Sequence, residues 1–180
     1  MNLKEIPLIG MLSAILLVIQ ITIGFIPNIE LVSLLIIIYT LVLKKKVLYI
    51  ISIFIFLEGL FYGFGLWWIN YLYIWFILAI ITSIFRKETS PIIWALVSGF
   101  FGLSFGALCS VPYFFMGLSS GGVEAGLNTA LAYWISGIPF DLIHGISNFI
   151  LALVLFKPLY KLINHFYKKY FQNQETQFLT

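Results

Sequence analysis

The last hydrophobic segment of the chain carries three polar side chains, Asp141, His144 and Asn148, spaced three and four residues apart. On an α-helix this spacing places all three on one stripe. A charged group within lipid costs roughly 2.5–3.5 kcal/mol, so ionisable side chains in membrane helices normally face protein or water. Two interpretations are open: the stripe is one wall of a ligand pocket, or it is a cluster of interhelical hydrogen bonds.

Aromatic side chains are concentrated at the start of the fourth hydrophobic segment. Trp67, Tyr71 and Trp75 recur every four residues. Asn70 lies beside them, and Tyr133 opens the last segment. Trp and Tyr form interfacial belts on membrane proteins generally, so a belt is one interpretation. The other is stacking on a planar ligand. The acids on this side of the chain, which has no Lys or Arg, would favour a cationic ligand.

The run Gly102-Leu103-Ser104-Phe105-Gly106 matches the pattern of a nucleophile elbow, and His144 follows on a later segment. An elbow needs a turn between a strand and a helix, whereas this run is predicted to be one continuous hydrophobic helix. Phosphate loops, nucleotide fingerprints and metal-spaced Cys/His clusters are absent from the sequence. The sequence therefore predicts a protein that is not an enzyme and that has no cofactor, no metal site and no nucleic-acid partner.

The elements that must position these residues follow from composition. The chain has 180 residues, of which 62% are hydrophobic and 9% charged, and its mean hydropathy is +1.06. Soluble domains are about half apolar and a quarter charged, so a lipid bilayer is the expected surrounding. A spanning helix needs about 20 apolar residues. Six segments qualify, the second and third of them short: residues 6–26, 29–43, 47–61, 67–85, 92–116 and 132–156.

The basic residues determine the predicted orientation. With six spans, all ten fall on the same side of the membrane: Lys4, Lys44, Lys45, Lys46, Arg86, Lys87, Lys157, Lys161, Lys168 and Lys169. The positive-inside rule places that side in the cytoplasm. We therefore predict an all-α integral membrane protein of the cell (inner) membrane, a six-transmembrane-helix bundle with both termini cytoplasmic. The bundle occupies residues 1–165, and residues 166–180 form a polar cytoplasmic tail.

Two further features concern connections and packing. The connection 117–128 is the longest and is rich in Ser and Gly, which predicts a flexible segment. Its candidate lid residues are Gly121, Gly122, Glu124 and Asn128. Small residues spaced by four allow helices to approach closely, either within the bundle or against a partner. They occur in the first segment at Gly10 and Ala14, and in the fifth at Ser98, Gly102 and Gly106.

Three runs carry a family resemblance: IGMLSAIL at 9–16, GIPFDLIHGISN at 137–148 and LFKPL at 155–159. Together with the six segments, they make nearly the whole chain resemble the substrate-binding S component of an energy-coupling factor (ECF) type vitamin transporter. The resemblance implies a protein that captures a vitamin or related micronutrient from outside. It also implies partners, namely a coupling transmembrane protein and two cytoplasmic ATPases that drive uptake.

The resemblance also implies roles for particular residues. The family pocket lies in the outer half, between the last three helices, and is closed by a loop. In this chain it would use Trp67, Asn70, Tyr71, Trp75, Tyr133, Asp141, His144 and Asn148. A small-residue stripe on the first helix contacts the coupling subunit in the family, which corresponds here to Gly10 and Ala14. The family usually has Ala where this chain has Gly10.

Two other functions remain open at this point. One is a structural or assembly subunit of another membrane complex, in which the polar stripe makes only interhelical bonds. The other is a stand-alone transporter. Such transporters usually contain internal repeats, and the two halves of this sequence show no convincing match.

Overall fold

The structure is a computed structural model that describes residue 3 and residues 5–172, and within that part the protein is all-helical, as the sequence predicts. The helices are α1 (Glu5–Ile23), α2 (Val32–Leu43), α3 (Val47–Tyr62), α4 (Leu66–Ile84), α5 (Pro91–Leu103), α6 (Phe105–Cys109) and α7 (Val111–Tyr167). A 3₁₀ turn, Lys44–Lys46, joins α2 to α3. A π-helical turn, Lys168–Gln172, follows α7.

Three helical runs are long and apolar enough to cross a bilayer: α1, α4 and Phe105–Tyr170. They make the fold compatible with a membrane protein. Helices α2, α3 and α5 are shorter, with 12, 16 and 13 residues. At 1.5 Å per residue they measure about 18–24 Å, less than the roughly 30 Å of a hydrocarbon core. The count of six spans therefore stays a prediction.

Helix α2 lies at the centre of the bundle. It contacts α1, α3, α4, α5 and α7, and every side chain except Leu41 is buried. A helix surrounded on all sides needs apolar residues on every face. The uninterrupted apolar run 34–38 meets that requirement. One of the two shortest predicted spans is therefore also the most buried helix.

The predicted fifth span, 92–116, is not one continuous helix, so that prediction is wrong. The helix is interrupted at Ser104 and again at Ser110. At the first interruption α5 meets α7 backbone to backbone, because a Cβ on Gly102 would lie 2.9 Å from the Cα of Gly145. The small-residue stripe of this segment therefore packs inside the bundle against α7.

The predicted flexible connection 117–128 is also different in the structure. All of it is helical except for non-helical backbone angles at Gly121 and Gly122. The two arms of α7 fold back on each other there, since a Cβ on Gly117 would lie 2.8 Å from the Cα of Gly126. Gly122 has φ +77°, in the left-handed region that glycine adopts readily. The segment is therefore a tight helical hairpin.

Two basic turns lie side by side at one end of the bundle. Four of their cations line one cavity of about 700 Å³: Lys44, Lys45, Arg86 and Lys87. The Lys46 ammonium donates hydrogen bonds to the Glu5 carboxylate and, over 3.1 Å, to the Tyr167 hydroxyl. The start of α1 and the end of α7 therefore lie at this same end, which we call the basic end.

The last helix continues past the predicted end of the bundle at residue 165. It runs to Tyr167, and the π-helical turn extends it to Gln172. The first part of the predicted tail is thus helical. Lys4 and residues 173–180 lie outside the described residues.

Candidate ligand-binding cavity

A cavity of about 190 Å³ lies beyond the first residue of α2, at the end of the bundle opposite the basic end. Its walls include Tyr71 and Trp75 from α4, Phe105 from α6, and Asp141 and His144 from α7. The other lining residues belong to the end of α1 and to the connection 24–31 between α1 and α2. Four of the eight residues predicted to bind ligand thus come together around one space.

The cavity exists because the central helix is short. Helices α1 and α4 have 19 residues each, against 12 in α2. The difference corresponds to about 10 Å of helix length. That space is occupied by the connection 24–31 and by the cavity beneath it.

Glu30, in the connection, joins α2 to α7. Its Oε2 accepts a hydrogen bond from the Ser33 backbone N–H at 2.8 Å, which satisfies one of the free donors at the start of α2. Its Oε1 lies 3.2 Å from His144 Nε2 and accepts a hydrogen bond from Asn148 Nδ2 at 3.1 Å. Each of its two carboxylate oxygens therefore has a partner.

Glu30 lies outside the helices, and its environment acts on its acidity in two directions. Burial acts to raise the pKa of the carboxyl, but the hydrogen bond and charge of His144 and the hydrogen bonds of Ser33 outweigh it. The pKa consequently lies below its ordinary value of 4.5. Glu30 is thus a fixed carboxylate that pairs with the polar stripe of α7.

Asp141 is held differently from Glu30. Its Oδ1 accepts a hydrogen bond from the Gly106 N–H at 2.9 Å, a donor that the interruption at Ser104 leaves without a helical acceptor. Its side chain is only 8% exposed, and its Oδ2 has no hydrogen-bond partner among the described residues. A Cβ on residue 106 would lie 2.4 Å from that Oδ2, so Asp141 fits only because Gly106 has none.

The connection 24–31 is attached to α7 by a second contact. The Ser147 hydroxyl donates a hydrogen bond to the Asn28 carbonyl at 2.8 Å. Asn28 has φ +61°, a left-handed conformation that Asn tolerates better than most residues. The Pro27-Asn28 turn therefore holds the connection against the same helix that supplies Asp141 and His144.

The predicted aromatic face forms a continuous row. Trp67 packs edge-on against Tyr71, and Tyr71 packs edge-on against Trp75, each with ring centroids 5.3 Å apart. Trp75 is 2% exposed, and its indole N–H has no hydrogen-bond acceptor among the described residues. Tyr71 and Trp75 line the cavity, whereas Trp67 lies outside it.

Three further residues predicted to bind ligand do not line this cavity. The buried Asn70 accepts a hydrogen bond from the Tyr73 hydroxyl at 2.9 Å. Tyr133 stacks on Tyr113 in the helical hairpin, with ring centroids 3.9 Å apart. The Asn148 amide donates a hydrogen bond to the Glu30 carboxylate at 3.1 Å. In this structure Asn70 therefore bonds within α4, Tyr133 packs within the hairpin of α7, and Asn148 bonds to the connection 24–31.

The candidate lid residues lie at the tip of the hairpin. Gly121, Gly122, Glu124 and Asn128 are exposed, and none of them lines the cavity. The segment that borders the cavity is the connection 24–31. The expectation that the 117–128 segment lies against the pocket is therefore not met in this structure, and its movement as a lid stays a prediction.

Sequence reasoning did not place Glu30 among the candidate site residues. One signal was present, since Glu30 is an acid directly after a Pro-Asn turn on a side of the chain without Lys or Arg. A second buried acid, Glu58 on α3, is 1% exposed, and its Oε1 has no hydrogen-bond partner among the described residues. It does not line the cavity.

The run 102–106, which matches the nucleophile-elbow pattern, lies at the helix interruption at Ser104. Ser104 is exposed at the helix interruption and does not line the cavity, while His144 Nε2 faces Glu30. Within residues 5–172, no three His, Cys, Asp or Glu side chains are grouped to hold a metal ion. The cavity wall therefore combines two carboxylates and one imidazole with aromatic faces.

Comparison of the chain with known protein families, with curated proteins and with solved structures finds no match in any of the three. The cavity and the surfaces around it are therefore the features of the molecule that bear on its function.

Proposed function

We propose that this chain is the membrane-embedded substrate-binding subunit of an ECF-type importer, which captures a vitamin or related micronutrient from outside the cell. The observation that carries the proposal is the polar cavity beneath the connection 24–31, with Asp141 and His144 in its wall. It lies at the end of α2 opposite the basic turns. With the basic end in the cytoplasm, the cavity is on the outer side, where a capture protein needs it.

In this proposal the connection 24–31 is the lid. It borders the cavity, and hydrogen bonds from His144, Asn148 and Ser147 hold it to α7. A solute of the cavity's size enters when these bonds open and is enclosed when they form again. The Glu30 carboxylate is then part of the closing contact.

The exposed face of α1 is the proposed contact with the coupling transmembrane protein. Gly10 and Ala14 are exposed there, and a Cβ on Gly10 would have no described atom within 4 Å. By contrast, the same construction on Gly102 meets the backbone of α7 at 2.9 Å. The stripe on α1 therefore remains available for a partner helix. The coupling protein and two cytoplasmic ATPases would supply the energy for release inward.

The proposal is tested by mild extraction of the tagged protein followed by native mass spectrometry. We expect one retained small molecule, together with a coupling protein and two ATPases. Gly10→Leu should remove the partner subunits and leave the small molecule bound. Gly137→Leu is the matched control, because a Cβ there also meets no described atom within 4 Å but lies on α7. Retention of the partners by Gly10→Leu would contradict the assigned contact, and their absence from the wild type would contradict the proposed function.

One observation favours a second candidate, a structural subunit of another membrane complex. All three polar residues of the stripe already bond within the chain, His144 and Asn148 to Glu30, and Asp141 to Gly106. A structural subunit would use such bonds without binding any solute. Purified protein that carries no small molecule and sits in a stable complex without ATPases would favour this function. Solute uptake by the chain alone in proteoliposomes would instead indicate a stand-alone transporter.

A further inference from the structure

We infer that the solute taken up by the cavity is a small organic cation, held by the carboxylate of Asp141 against the aromatic faces of Tyr71 and Trp75. This inference rests on the proposed function and specifies the chemical class of ligand for the same cavity.

The charges around the cavity are the first reason. Its lining includes two carboxylates, Glu30 and Asp141, and one imidazole, His144. None of the described Lys and Arg residues lines it. Glu30 already pairs with His144. Asp141 is left without a cationic side chain to bond it, and a buried carboxylate without a full set of partners is unfavourable. A cation in the cavity would offset this.

The geometry of Asp141 is the second reason. The Gly106 N–H holds Oδ1 at 2.9 Å, and close packing on Gly106 fixes the carboxylate in place. Oδ2 remains without a partner on a side chain that is 8% exposed. Oδ2 itself has almost no accessible surface. A cation in the cavity would therefore act on the carboxylate through its charge and through a charge-assisted hydrogen bond to the part of Asp141 that lines the cavity.

The aromatic wall supplies the third reason. Tyr71, Trp75 and Phe105 line the same space, and a cation beside such rings is attracted by their π-electrons. The indole N–H of Trp75 is buried and has no acceptor among the described residues.

The size of the cavity limits the solute further. A volume of about 190 Å³ corresponds to about six water molecules at roughly 30 Å³ each. It is smaller than the roughly 300–1,000 Å³ of pockets that hold drug-sized ligands. The ligand class is thus a cation with a single ring or a short chain.

Three probes of the same shape and different charge test the inference: benzamidinium, benzamide and benzoate. Their binding to the full chain in phosphatidylcholine nanodiscs is measured by calorimetry. We expect benzamidinium to bind more tightly than benzamide by a factor on the order of ten or more, and benzoate to bind most weakly. Asp141→Asn keeps an oxygen for the Gly106 N–H and removes the charge. It should abolish the preference for benzamidinium, whereas Glu88→Gln, at an exposed acid of the basic end, should preserve it.

The inference is overturned if benzamide or benzoate binds as tightly as benzamidinium, or if Asp141→Asn keeps the preference. Mass spectrometry of the solute retained by the wild type gives an independent decision that needs no variant. A retained cation supports the inference, while a retained neutral or anionic solute overturns it and leaves the proposed function standing. Wild-type protein that retains no solute and binds none of the probes would overturn both.

Discussion

The two ends of the central helix α2 hold their charged side chains in different ways. At its first end, Glu30 lies against α7 with 13% of its side chain exposed and is bonded through both carboxylate oxygens. At its other end, Lys44 and Lys45 are exposed, and Lys46 is partly exposed beside Glu5. One end therefore has a fixed polar geometry suited to recognition, and the other has a hydrated basic surface suited to orienting the protein.

The physical difference between the ends is solvation. A buried charge must be matched by specific partners, because removing one partner leaves the others unsatisfied in a medium of low dielectric constant. An exposed charge is solvated by water and screened by salt, so its partners matter little. Substitutions at the two ends should therefore differ in effect, with the larger losses of unfolding free energy at the cavity end.

The largest effect is expected for Glu30→Ala. The change removes the acceptor of the Ser33 N–H and leaves His144 and Asn148 without their shared partner. Removing one member of a buried pair typically costs about 3–5 kcal/mol of unfolding free energy. Thermal and denaturant unfolding in detergent measure this loss of free energy, with Glu88→Ala as the control at an acid of the basic end. Equal losses of unfolding free energy in the two variants would mean that the two ends do not differ.

The second effect concerns Gly106, which allows Asp141 to approach α6. A Cβ at residue 106 would lie 2.4 Å from Asp141 Oδ2, so Gly106→Ala should force the carboxylate or the helix to shift. Such overpacking costs about 1–3 kcal/mol. Gly10→Ala is the matched control near the basic end, and it should be neutral or stabilise α1 by up to about 1 kcal/mol. The same unfolding measurements test this. A Gly106→Ala variant with an unchanged free energy of unfolding would mean that Asp141 and α6 lie farther apart than the structure shows.

The third effect is a pH dependence at the cavity end. Because the folded-state pKa of Glu30 lies below 4.5, its contribution to stability is present above that pH. It is lost as the pH falls through the lower folded-state pKa. The protection factors of the segment 24–31 in hydrogen exchange, which correct for the intrinsic pH dependence of amide exchange, should therefore fall on acidification before those of α2 do. Glu30→Gln should show no such fall, and wild-type protection factors that do not change with pH would contradict the assignment.

The smallest effect is expected for Lys46→Gln at the basic end. Burial acts to lower the pKa of the Lys46 ammonium, and hydrogen bonds to Glu5 and Tyr167 with their charges raise it overall. Its stabilisation is thus complete below pH 10.5 and is lost above it. Partly exposed pairs contribute about 0.2–1 kcal/mol, so the loss of unfolding free energy should be small and should shrink in high salt. Lys45→Gln is the control, and a loss comparable with that of Glu30→Ala would contradict the comparison.

Part of the candidate site follows from the sequence, because helical spacing is a local property. Asp141 and His144 lie three residues apart, and Tyr71 and Trp75 lie four apart, so their shared faces follow from the helix period alone. Glu30 was missed as a member of the site because its partner His144 lies 114 residues away. Tyr133 was assigned to the pocket, but the hairpin turns it toward Tyr113 instead.

The two small-residue stripes also show that local spacing does not determine which helices meet. Gly10 with Ala14 and Gly102 with Gly106 have the same spacing in the sequence. In the structure the first pair is exposed and the second pair is buried against α7. Spacing indicates that a helix can approach closely, and only the arrangement of the other helices decides whether one does.

The sequence by itself determined that the chain is all-helical, that its helices are apolar enough for lipid, and that its charges are segregated along the chain. These properties depend on composition and on periodicity over a few residues. The tertiary structure alone decided that α2 is the buried centre, that the helix breaks at Ser104, and that the connection 24–31 covers the cavity. Each of these depends on contacts between residues far apart in the chain, which no local pattern encodes.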